Sequence, residues 1–303
     1  MSVPYMPSGH VATLVRPHPG WSASPLFADG CGMSDVKAET PVCSALFGVV
    51  APSFGWAPPL RYLLRRKRVM HLLQPFMPCS LIEVGCGAGA LLHELGTGSH
   101  DVIGLETSAP ALIMARAIAG AAGGQQVLVD APDPAWQASK DLVCAFDVLE
   151  HIENDGAALS TWAAWLKPTG RLCISVPAHR RRWGPGDEWA GHWRRYDRSD
   201  LVELLRTQGL IIEHLECYGF PLANLTEWVG TRTYRRLIGE RDSGTSRVRA
   251  TANSGIDRSD YLRLFRWIDS PLGRVGLRVA MVMQAAASRL NWGSGYLVLA
   301  RRG

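Results

Sequence analysis

The sequence predicts an α/β fold in which helices cover both faces of a doubly wound parallel sheet. From residue 80 onward, short apolar segments of strand length alternate with segments of helical periodicity, a pattern typical of parallel sheets. A glycine-rich turn follows the first apolar segment, where such sheets bind ligands. The 303 residues, of which 47% are hydrophobic and 19% charged, suffice for a large α/β core with insertions.

The predicted elements follow one another in a regular order. An amphipathic helix is expected over residues 58–75, with Pro75 and Pro78 ending it. The predicted strands are 81–84, 101–106, 125–130, 141–147, 171–177, 210–220 and 294–302, and the predicted helices between them are 90–95, 109–122, 156–168 and 198–209. We expect Pro168 and Gly170 to stop the helix over 156–168. Ser199 should cap the next helix and Gly209 should close it.

The chain divides into five predicted parts. Residues 1–32, rich in Pro, Gly, Ser and His without periodicity, are expected to be a disordered extension. The parts that follow are an N-terminal helical segment (33–79), a ligand-binding core (80–220), a helical insertion or cap (221–290) and a final core strand (291–303). The insertion contains a polar loop near 242–256 and an apolar helix over 271–290. That helix indicates core packing or a lid, or alternatively a membrane-surface or dimer contact.

Composition favours a cytoplasmic protein. The seven cysteines are scattered without metal-ligand spacing, as is typical of buried free thiols in a reducing compartment. No apolar run of ~18 residues predicts a spanning helix, and the chain start lacks a secretory signal pattern. The net charge of +5 lies in short basic clusters, which are solvated rims or contacts with an anionic substrate or lipid headgroups. Peripheral contact with the inner membrane surface is the alternative to a purely cytoplasmic location.

The stretch SLIEVGCGAGALLHELG (80–96) joins an apolar strand to a helix through three glycines. Gly85, Gly87 and Ala90 also satisfy the dinucleotide fingerprint G-x-G-x-x-G/A, so the glycines alone leave an NAD(P)-dependent oxidoreductase open. Glu83 separates the two interpretations, because a carboxylate at the loop mouth opposes a pyrophosphate and attracts a sulfonium or ammonium group. The charge therefore favours S-adenosylmethionine (SAM) as the ligand.

Four landmarks in order resemble the class I (Rossmann-like) SAM-dependent methyltransferases, over residues 80–220 and the last strand. The family's E-x-G-x-G-x-G motif matches residues 83–89. Glu106, which ends the second strand, would take the two ribose hydroxyls, since one carboxylate accepts from a vicinal diol. Asp130 would lie near the adenine amino group. The fourth landmark, FDVLEHIEND (146–155), is common in members that act on small molecules.

The resemblance implies a seven-stranded sheet whose last strand is antiparallel. It also implies SAM as cofactor and S-adenosylhomocysteine as product. The residues that it assigns to the cofactor are Glu83, Gly85, Cys86, Gly87, Gly89, Glu106, Thr107, Asp130, Ala131, Phe146 and Asp147.

The predicted function is methyl transfer to a small molecule, on oxygen, in bacterial secondary metabolism or in cell-envelope glycan or lipid biosynthesis. N- or C-methylation of a natural product, an NAD(P)-dependent oxidoreductase and a non-catalytic SAM-binding protein are the alternatives. The sequence lacks the [DN]-P-P-[YF] run that follows the fourth strand in nucleic-acid base methyltransferases, which disfavours a nucleic-acid partner. An anionic or lipid-linked acceptor is expected, and a homodimer remains open.

Two histidines are the predicted catalytic residues. His151 follows the fourth strand, where it could remove a proton from the acceptor; alternatively it only shapes the pocket floor. His192 lies in a segment, VPAHRRRWGPGDEWAGHWRRYDRSDL (176–201), that resembles one found after strand five in a bacterial subgroup of the family. The predicted substrate residues of this segment are Trp183, Trp189, Trp193, Arg194, Arg195 and Tyr196, which form an apolar wall with an anion site or, alternatively, brace a surface loop.

A metal site is a further alternative. Asp147, Glu150 and His151 follow a D-x-x-E-H spacing, which is similar to the E-x-x-E-H metal motif of ubiquinone-pathway O-methyltransferases and small-RNA 2′-O-methyltransferases. His192 could supply a fourth ligand. Mg²⁺ at this site would acidify a substrate hydroxyl, although the same letters occur in metal-free relatives.

Overall fold

The computed structural model describes residues 41–239 and 259–303. The predicted extension (1–32) and the predicted polar loop (242–256) lie outside the described residues. Among the helices of the described part, none is long and apolar enough to cross a bilayer.

Within these residues, seven strands form one mixed sheet. A hairpin of β1 (Val42–Ser44) and β2 (Gly48–Val50) precedes it. The sheet strands are β3 (Leu81–Val84), β4 (Val102–Leu105), β5 (Val127–Val129), β6 (Lys140–Phe146), β7 (Leu166–Pro177), β8 (Leu210–Tyr218) and β9 (Gly295–Arg302). Their order is β5-β4-β3-β6-β7-β9-β8, with β9 antiparallel to both neighbours. The predicted Rossmann-like sheet with an antiparallel last strand is confirmed.

Helices pack on both faces of this sheet. They are α1 (Leu60–Leu73), α2 (Ala90–Gly96), α3 (Ala109–Ala121), α4 (Asp155–Trp165), α5 (Pro185–Ala190), α6 (Arg198–Thr207), α7 (Leu222–Gly239), α8 (Ser259–Ile268) and α9 (Pro271–Ala287). Successive residues of a strand point to opposite faces, so Leu81 packs in the cluster of α1 and α2 whereas Ile82 packs in the cluster of α4 and α6. Burial on both faces explains why the central strands are continuous apolar runs.

The segment before the core is not purely helical. From residue 41 the chain first forms the β1–β2 hairpin, and α1 begins only at Leu60. Arg66 of α1 forms a buried ion pair with Glu94 of α2 and donates hydrogen bonds to the carbonyls of Ala45 and Leu46 in the hairpin turn. One buried guanidinium therefore ties the hairpin to the core.

Several element boundaries differ from the predictions, most of all where α4 meets β7. Helix α4 ends at Trp165, and β7 begins at once at Leu166, because Leu166 pairs with Lys140 before the ladder shifts register and resumes with Arg171 opposite Leu142. Pro168 therefore lies in this irregular strand segment rather than at a helix end. Similarly, β8 ends at Tyr218, two residues before the predicted end.

The predicted cap of α6 is wrong, whereas its predicted end is confirmed. The helix begins at Arg198, so the N-cap position belongs to Asp197, whose carboxylate accepts a hydrogen bond from the Arg180 backbone instead of from the helix. Ser199 already lies inside the helix. Gly209 follows the helix with φ = +72°, a left-handed conformation that glycine adopts without strain.

The helices between β8 and β9 pack on α1. Leu63 and Leu64 share an apolar cluster with Ile268 of α8 and Leu277 of α9. Gln284 of α9 is buried and links this helix to α1 and to the chain just after β8. Its amide nitrogen donates to the Leu64 carbonyl at 2.9 Å, and its amide oxygen accepts from the Gly219 backbone N–H at 3.1 Å. The insertion is thus held against the helix that forms one wall of the cavity described next.

Candidate active site

The carboxyl ends of β3 and β6 meet α1, α5 and α7 around a cavity of about 330 Å³. This is the edge of a doubly wound sheet at which ligands bind. Of the residues predicted for cofactor and catalysis, those lining the cavity are Glu83, Gly85, Cys86, Gly87, Phe146, Asp147, His151 and His192. Segments far apart in the sequence therefore place these side chains around one space.

The glycine loop forms the floor of the cavity. Gly85, Gly87 and Gly89 have φ values of +63°, +55° and +70°, which side-chain-bearing residues rarely adopt. A Cβ atom on Gly85 would lie 2.6 Å from Val148 Cγ2, whereas the space around Gly87 is open. Gly85 is therefore required for packing, and Gly87 leaves room for a ligand to approach the backbone.

Glu83 ends β3 beneath the loop and is buried. Its Oε2 atom has no hydrogen-bond partner among the described residues. Burial raises the pKa of Glu83 to about 8, although the guanidinium of Arg65 acts in the opposite direction. Without a ligand, this carboxyl group is therefore mainly protonated at neutral pH. The negative charge that the sequence predicts at the loop mouth needs a cation beside it to form.

Glu106 holds the glycine loop from the adjacent strand. Its carboxylate accepts hydrogen bonds from the backbone N–H groups of Gly87 and Ser108, both at 2.8 Å. Thr107, Asp130 and Ala131 are exposed and do not line the described cavity. Of these four residues, which the sequence predicts on the ribose and adenine side of the donor, Glu106 is therefore the one that contacts the glycine loop.

Asp147 ends β6 in a left-handed conformation, with φ = +56°. Its carboxylate accepts a hydrogen bond from the Ser175 hydroxyl at 3.0 Å and forms ion pairs with Arg65 and, at 3.6 Å, with Arg61. Burial alone would raise the pKa of Asp147, but these two guanidinium groups outweigh burial and hold it well below its usual range. Asp147 is therefore ionised, and both of its carboxylate oxygens contact neighbouring side chains.

Arg61 and Arg65 were not predicted as site residues. Both lie on α1, whose basic residues the sequence leaves open as a solvated rim or as contacts with an anionic substrate or lipid headgroups, and both line the cavity. Arg61 also contacts Glu227 of α7 at 3.3 Å, and Glu227 in turn lies 3.6 Å from Arg195. These alternating charges form one side of the cavity.

The two predicted catalytic histidines are neighbours. The ring centroids of His151 and His192 lie 4.7 Å apart in an edge-to-face arrangement. Burial, and then the proximity of His192, lower the pKa of His151 to about 4. His151 is therefore neutral at physiological pH and binds a proton weakly.

His192 is oriented by a carboxylate that sequence reasoning missed. Its Nδ1 lies 2.9 Å from Asp187 Oδ1, while Arg195 Nε donates to both Asp187 oxygens at 2.8 Å. Burial alone would raise the pKa of Asp187, but the bonds from His192 and Arg195 lower it. An ionised, buried carboxylate thus fixes the ring and leaves Nε2 facing away from it, the arrangement that orients histidine bases.

Glu150 lies directly behind the histidine pair. It is fully buried, and neither carboxylate oxygen has a hydrogen-bond partner within the described ranges. Burial, reinforced by the charge of Asp147, raises the pKa of Glu150 well above its usual value. Ligand atoms of Glu150, His151 and His192 lie within 4.8 Å of one another. Asp147, the other predicted metal ligand, is outside this group because the arginines hold its carboxylate.

Most of the predicted substrate residues do not line the cavity. Trp183 and Trp193 are 40% and 38% exposed and do not line the cavity. Arg194 and Tyr196 both bond Asp155, at 2.6 and 3.0 Å, and so brace the segment. Of the predicted set only Trp189 and Arg195 reach the cavity. Its remaining aromatic lining comes from Trp56, Tyr62 and Tyr234, which distant segments supply.

A family model described as a methyltransferase domain matches residues 58–215, just over half of the chain. A ubiquinone biosynthesis O-methyltransferase of Rhodopseudomonas palustris (strain TIE-1) is 34% identical over 100 residues, which are 32% of this chain and 39% of that protein. A protein of Mycolicibacterium smegmatis named "Probable S-adenosylmethionine-dependent methyltransferase" is 28% identical over 160 residues, 50% of this chain and 60% of the other. The alignments with the first of these curated relatives span about two fifths of their length.

The fold comparison agrees with the sheet order. A crystal structure titled "putative sarcosine dimethylglycine methyltransferase", from Galdieria sulphuraria, superimposes with a TM-score of 0.52, covering 84% of this chain and 91% of that chain. The two sequences are 13% identical, so the likeness concerns the fold alone.

Proposed function

Because the chain belongs to the methyltransferase domain family, we propose that it transfers the methyl group of SAM to a hydroxyl oxygen of a small molecule. The observation that carries this proposal is the position of the Asp187–His192 pair, which faces the glycine loop across the same cavity. The loop side suits the donor and the histidine side suits the acceptor.

The donor fits the loop side by charge. Glu106 keeps unused lone pairs after accepting from Gly87 and Ser108, and two ribose hydroxyls could donate to them. The cationic methionine end of SAM would lie near Glu83, and Arg65 offers a partner for its carboxylate. A dinucleotide would instead place its pyrophosphate over a loop in which the Gly87 N–H already donates to the Glu106 carboxylate.

The chain's share of the chemistry is positioning and proton removal. His192 Nε2 would accept the proton of the acceptor hydroxyl while the oxygen attacks the methyl carbon and the C–S bond breaks, giving a methyl ether and S-adenosylhomocysteine. Asp187 would stabilise the imidazolium that forms. His151, neutral beside His192, would donate its ring N–H to the oxygen of the same hydroxyl and orient it.

The acceptor is proposed to carry an anionic group. Arg61, Arg65 and Arg195 line the cavity beside Trp189 and Tyr234, so a molecule with an apolar ring or chain and a carboxylate or phosphate would meet both kinds of surface. Secondary metabolism and envelope glycan or lipid biosynthesis supply such acceptors. The ubiquinone name of the first relatives also describes O-methylation, although N- and C-methylation remain the alternatives.

Calorimetric titration of the purified protein tests the donor. We expect SAM and S-adenosylhomocysteine to bind with micromolar or tighter affinity and NADH and NADPH not to bind. Binding of the nicotinamides alone would refute the proposal. Binding of SAM without turnover across a broad panel of hydroxylated acids would instead favour a non-catalytic SAM-binding protein.

Glu83 predicts a proton linkage. With its pKa near 8 in the ligand-free protein, Glu83 must release a proton when a cation binds beside it, so the affinity for SAM should increase as pH rises towards 8. The increase is at most about tenfold per pH unit and levels off above the ligand-free pKa. Calorimetry in buffers of different ionisation enthalpy measures the proton released.

The matched variant for this linkage is Glu83→Gln. Any titration of SAM itself affects the unmodified protein and the variant equally. The difference between their profiles of SAM affinity against pH is therefore due to Glu83. Parallel profiles would show that Glu83 does not meet the cationic end of the donor.

A metal-assisted variant of the same reaction is the second candidate, because Glu150 carries two buried oxygens that have no hydrogen-bond partner in the described part of the chain. Glu150, His151 and His192 fit a divalent cation, and Asp187 holds the other nitrogen of His192 as the outer carboxylate of a metal site would. Two imidazoles and one carboxylate suit Mn²⁺, Fe²⁺ or Zn²⁺ better than the Mg²⁺ that the sequence suggests. A bound cation would acidify the acceptor hydroxyl.

Metal removal separates these two variants. If His192 acts as the base, we expect exhaustive EDTA treatment to change kcat less than about twofold. Direct binding of Mn²⁺ to the resting protein, together with an EDTA loss that Mn²⁺ restores, would establish the metal site instead.

A further inference from the structure

Helix α9 turns an apolar face to solvent as well as to the core. Leu277, Ala280, Met281 and Gln284 are buried against α1, as expected for a packed helix. On the opposite side, Leu272, Val275, Val279 and Val282 follow the i, i+3, i+7, i+10 spacing of one helix face and are 86%, 55%, 53% and 69% exposed. A helix that is apolar on both sides needs a second apolar environment.

Two exposed tryptophans flank this face. Trp267 precedes α9, is 78% exposed, and accepts the Ser270 hydroxyl through its carbonyl at 2.7 Å. Trp292 follows α9 and is 57% exposed. Its backbone carbonyl accepts a hydrogen bond at 2.7 Å from the side chain of Asn224, near the start of α7. Indole rings at the rim of an apolar surface are typical of the membrane interface, where one end of the ring is apolar and the other wet.

Among the described residues next to this face in the sequence, basic side chains outnumber acidic ones. Residues 270–303 contain five arginines and neither aspartate nor glutamate. Arg278 and Arg289 are exposed at and just beyond α9, and Arg263 and Arg266 are exposed on α8. Asp269, which precedes α9, bonds Arg274 at 3.0 Å. Anionic headgroups complement such a rim, at about fivefold in affinity for each arginine near the surface.

We propose that the outward face of α9, with Trp267 and Trp292, docks this protein on the surface of a membrane that contains anionic lipid. The contact is interfacial, since no helix in the described part can span a bilayer. A second copy is the less suitable occupant, because a symmetric pairing of this face would bring the same arginines together without acidic partners.

Co-sedimentation of the full chain with vesicles tests the surface. We expect binding to vesicles of phosphatidylcholine with phosphatidylglycerol, weak binding to phosphatidylcholine alone, and a decrease at high salt. The double variant Val279→Glu/Val282→Glu should lose at least tenfold in partitioning, and Arg278→Gln/Arg289→Gln should lose binding only to the anionic vesicles. Ile113→Glu is the matched control, because Ile113 is an equally exposed apolar residue (67%) on α3; it should bind like the unmodified protein.

A second measurement does not depend on a substitution on α9. Brominated lipid should quench the tryptophan fluorescence of the unmodified protein, and Trp267→Phe/Trp292→Phe should remove most of the quenching. Absence of quenching and of sedimentation overturns the proposal. It is also overturned if sedimentation velocity shows a dimer that Val279→Glu/Val282→Glu dissociates while vesicles are not bound. SAM affinity, measured in parallel, should be the same in all these variants.

Discussion

Replacing His192 with alanine should lower kcat at least a hundredfold while leaving the affinity for SAM within about twofold. A positioned general base contributes about 10²–10⁴ to a rate. His192 lies on the acceptor side of the cavity, and His151 cannot replace it, since its pKa of about 4 makes it a much weaker proton acceptor. Steady-state kinetics with the acceptor found for this enzyme, together with SAM calorimetry, measure both quantities.

Added imidazole provides the decisive readout for His192. A small base that enters the space left by the His192→Ala substitution should restore part of kcat, which a purely structural histidine would not predict. His214→Gln is the matched control, because His214 also bonds a buried carboxylate, Glu216, at 3.0 Å but lies outside the cavity lining. Its kcat should be unchanged. Loss of kcat in both variants would point to stability instead of catalysis.

The sheet could be predicted from the sequence because its signals are local. Strand β3 is a continuous apolar run and Gly85, Gly87 and Gly89 directly follow it, so periodicity and turn chemistry place the loop at a strand end. The predicted element boundaries are wrong where hydrogen bonding between strands determines where a strand begins. The pairing of Leu166 with Lys140 starts β7 early, and no local pattern around Pro168 reveals it.

The candidate site was less predictable because its electrostatics are assembled from distant segments. The basic residues of α1 are visible in the sequence, but the helical pattern does not say that Arg65 pairs with Asp147, 82 residues away. The Asp187–His192 spacing does lie within one short segment and was a usable signal. The sequence predicts His192 as catalytic but gives Asp187 no role, because the aromatic and basic residues of the segment suggest a binding surface whether or not they face a cavity.

Burial gives different properties to the two glutamates that the resemblance assigns to the donor. Glu83 and Glu106 have the same side chain and lie near the ends of adjacent strands, yet their surroundings differ. Glu106 accepts hydrogen bonds from two backbone N–H groups. Glu83 has an oxygen with no hydrogen-bond partner among the residues that the structure describes, and its pKa rises to about 8. One is therefore a permanent acceptor and the other responds to the ligand's charge, a distinction that needs the three-dimensional surroundings.

Replacing Glu106 with alanine should weaken SAM binding at least a hundredfold. Two hydrogen bonds from ribose hydroxyls to a carboxylate are worth about 1.5–3 kcal/mol each, and the variant also loses the bonds that hold Gly87 and Ser108. The loop N–H of Gly87 would then lack its acceptor and the loop would lose its fixed conformation. Calorimetry with S-adenosylhomocysteine measures the loss without turnover.

Asp141→Ala is the matched control for Glu106→Ala. Asp141 also accepts from a backbone N–H, that of Ser80 at 3.1 Å, and bonds Lys167 at 2.8 Å. It lies near the start of β6, at the amino end of the strands, so its removal should lower the unfolding temperature and leave the ligand affinity unchanged. Comparable losses of affinity in both variants would mean that Glu106 acts only through stability. An affinity retained in Glu106→Ala would show that the ribose binds elsewhere and that the donor does not lie along this loop as proposed.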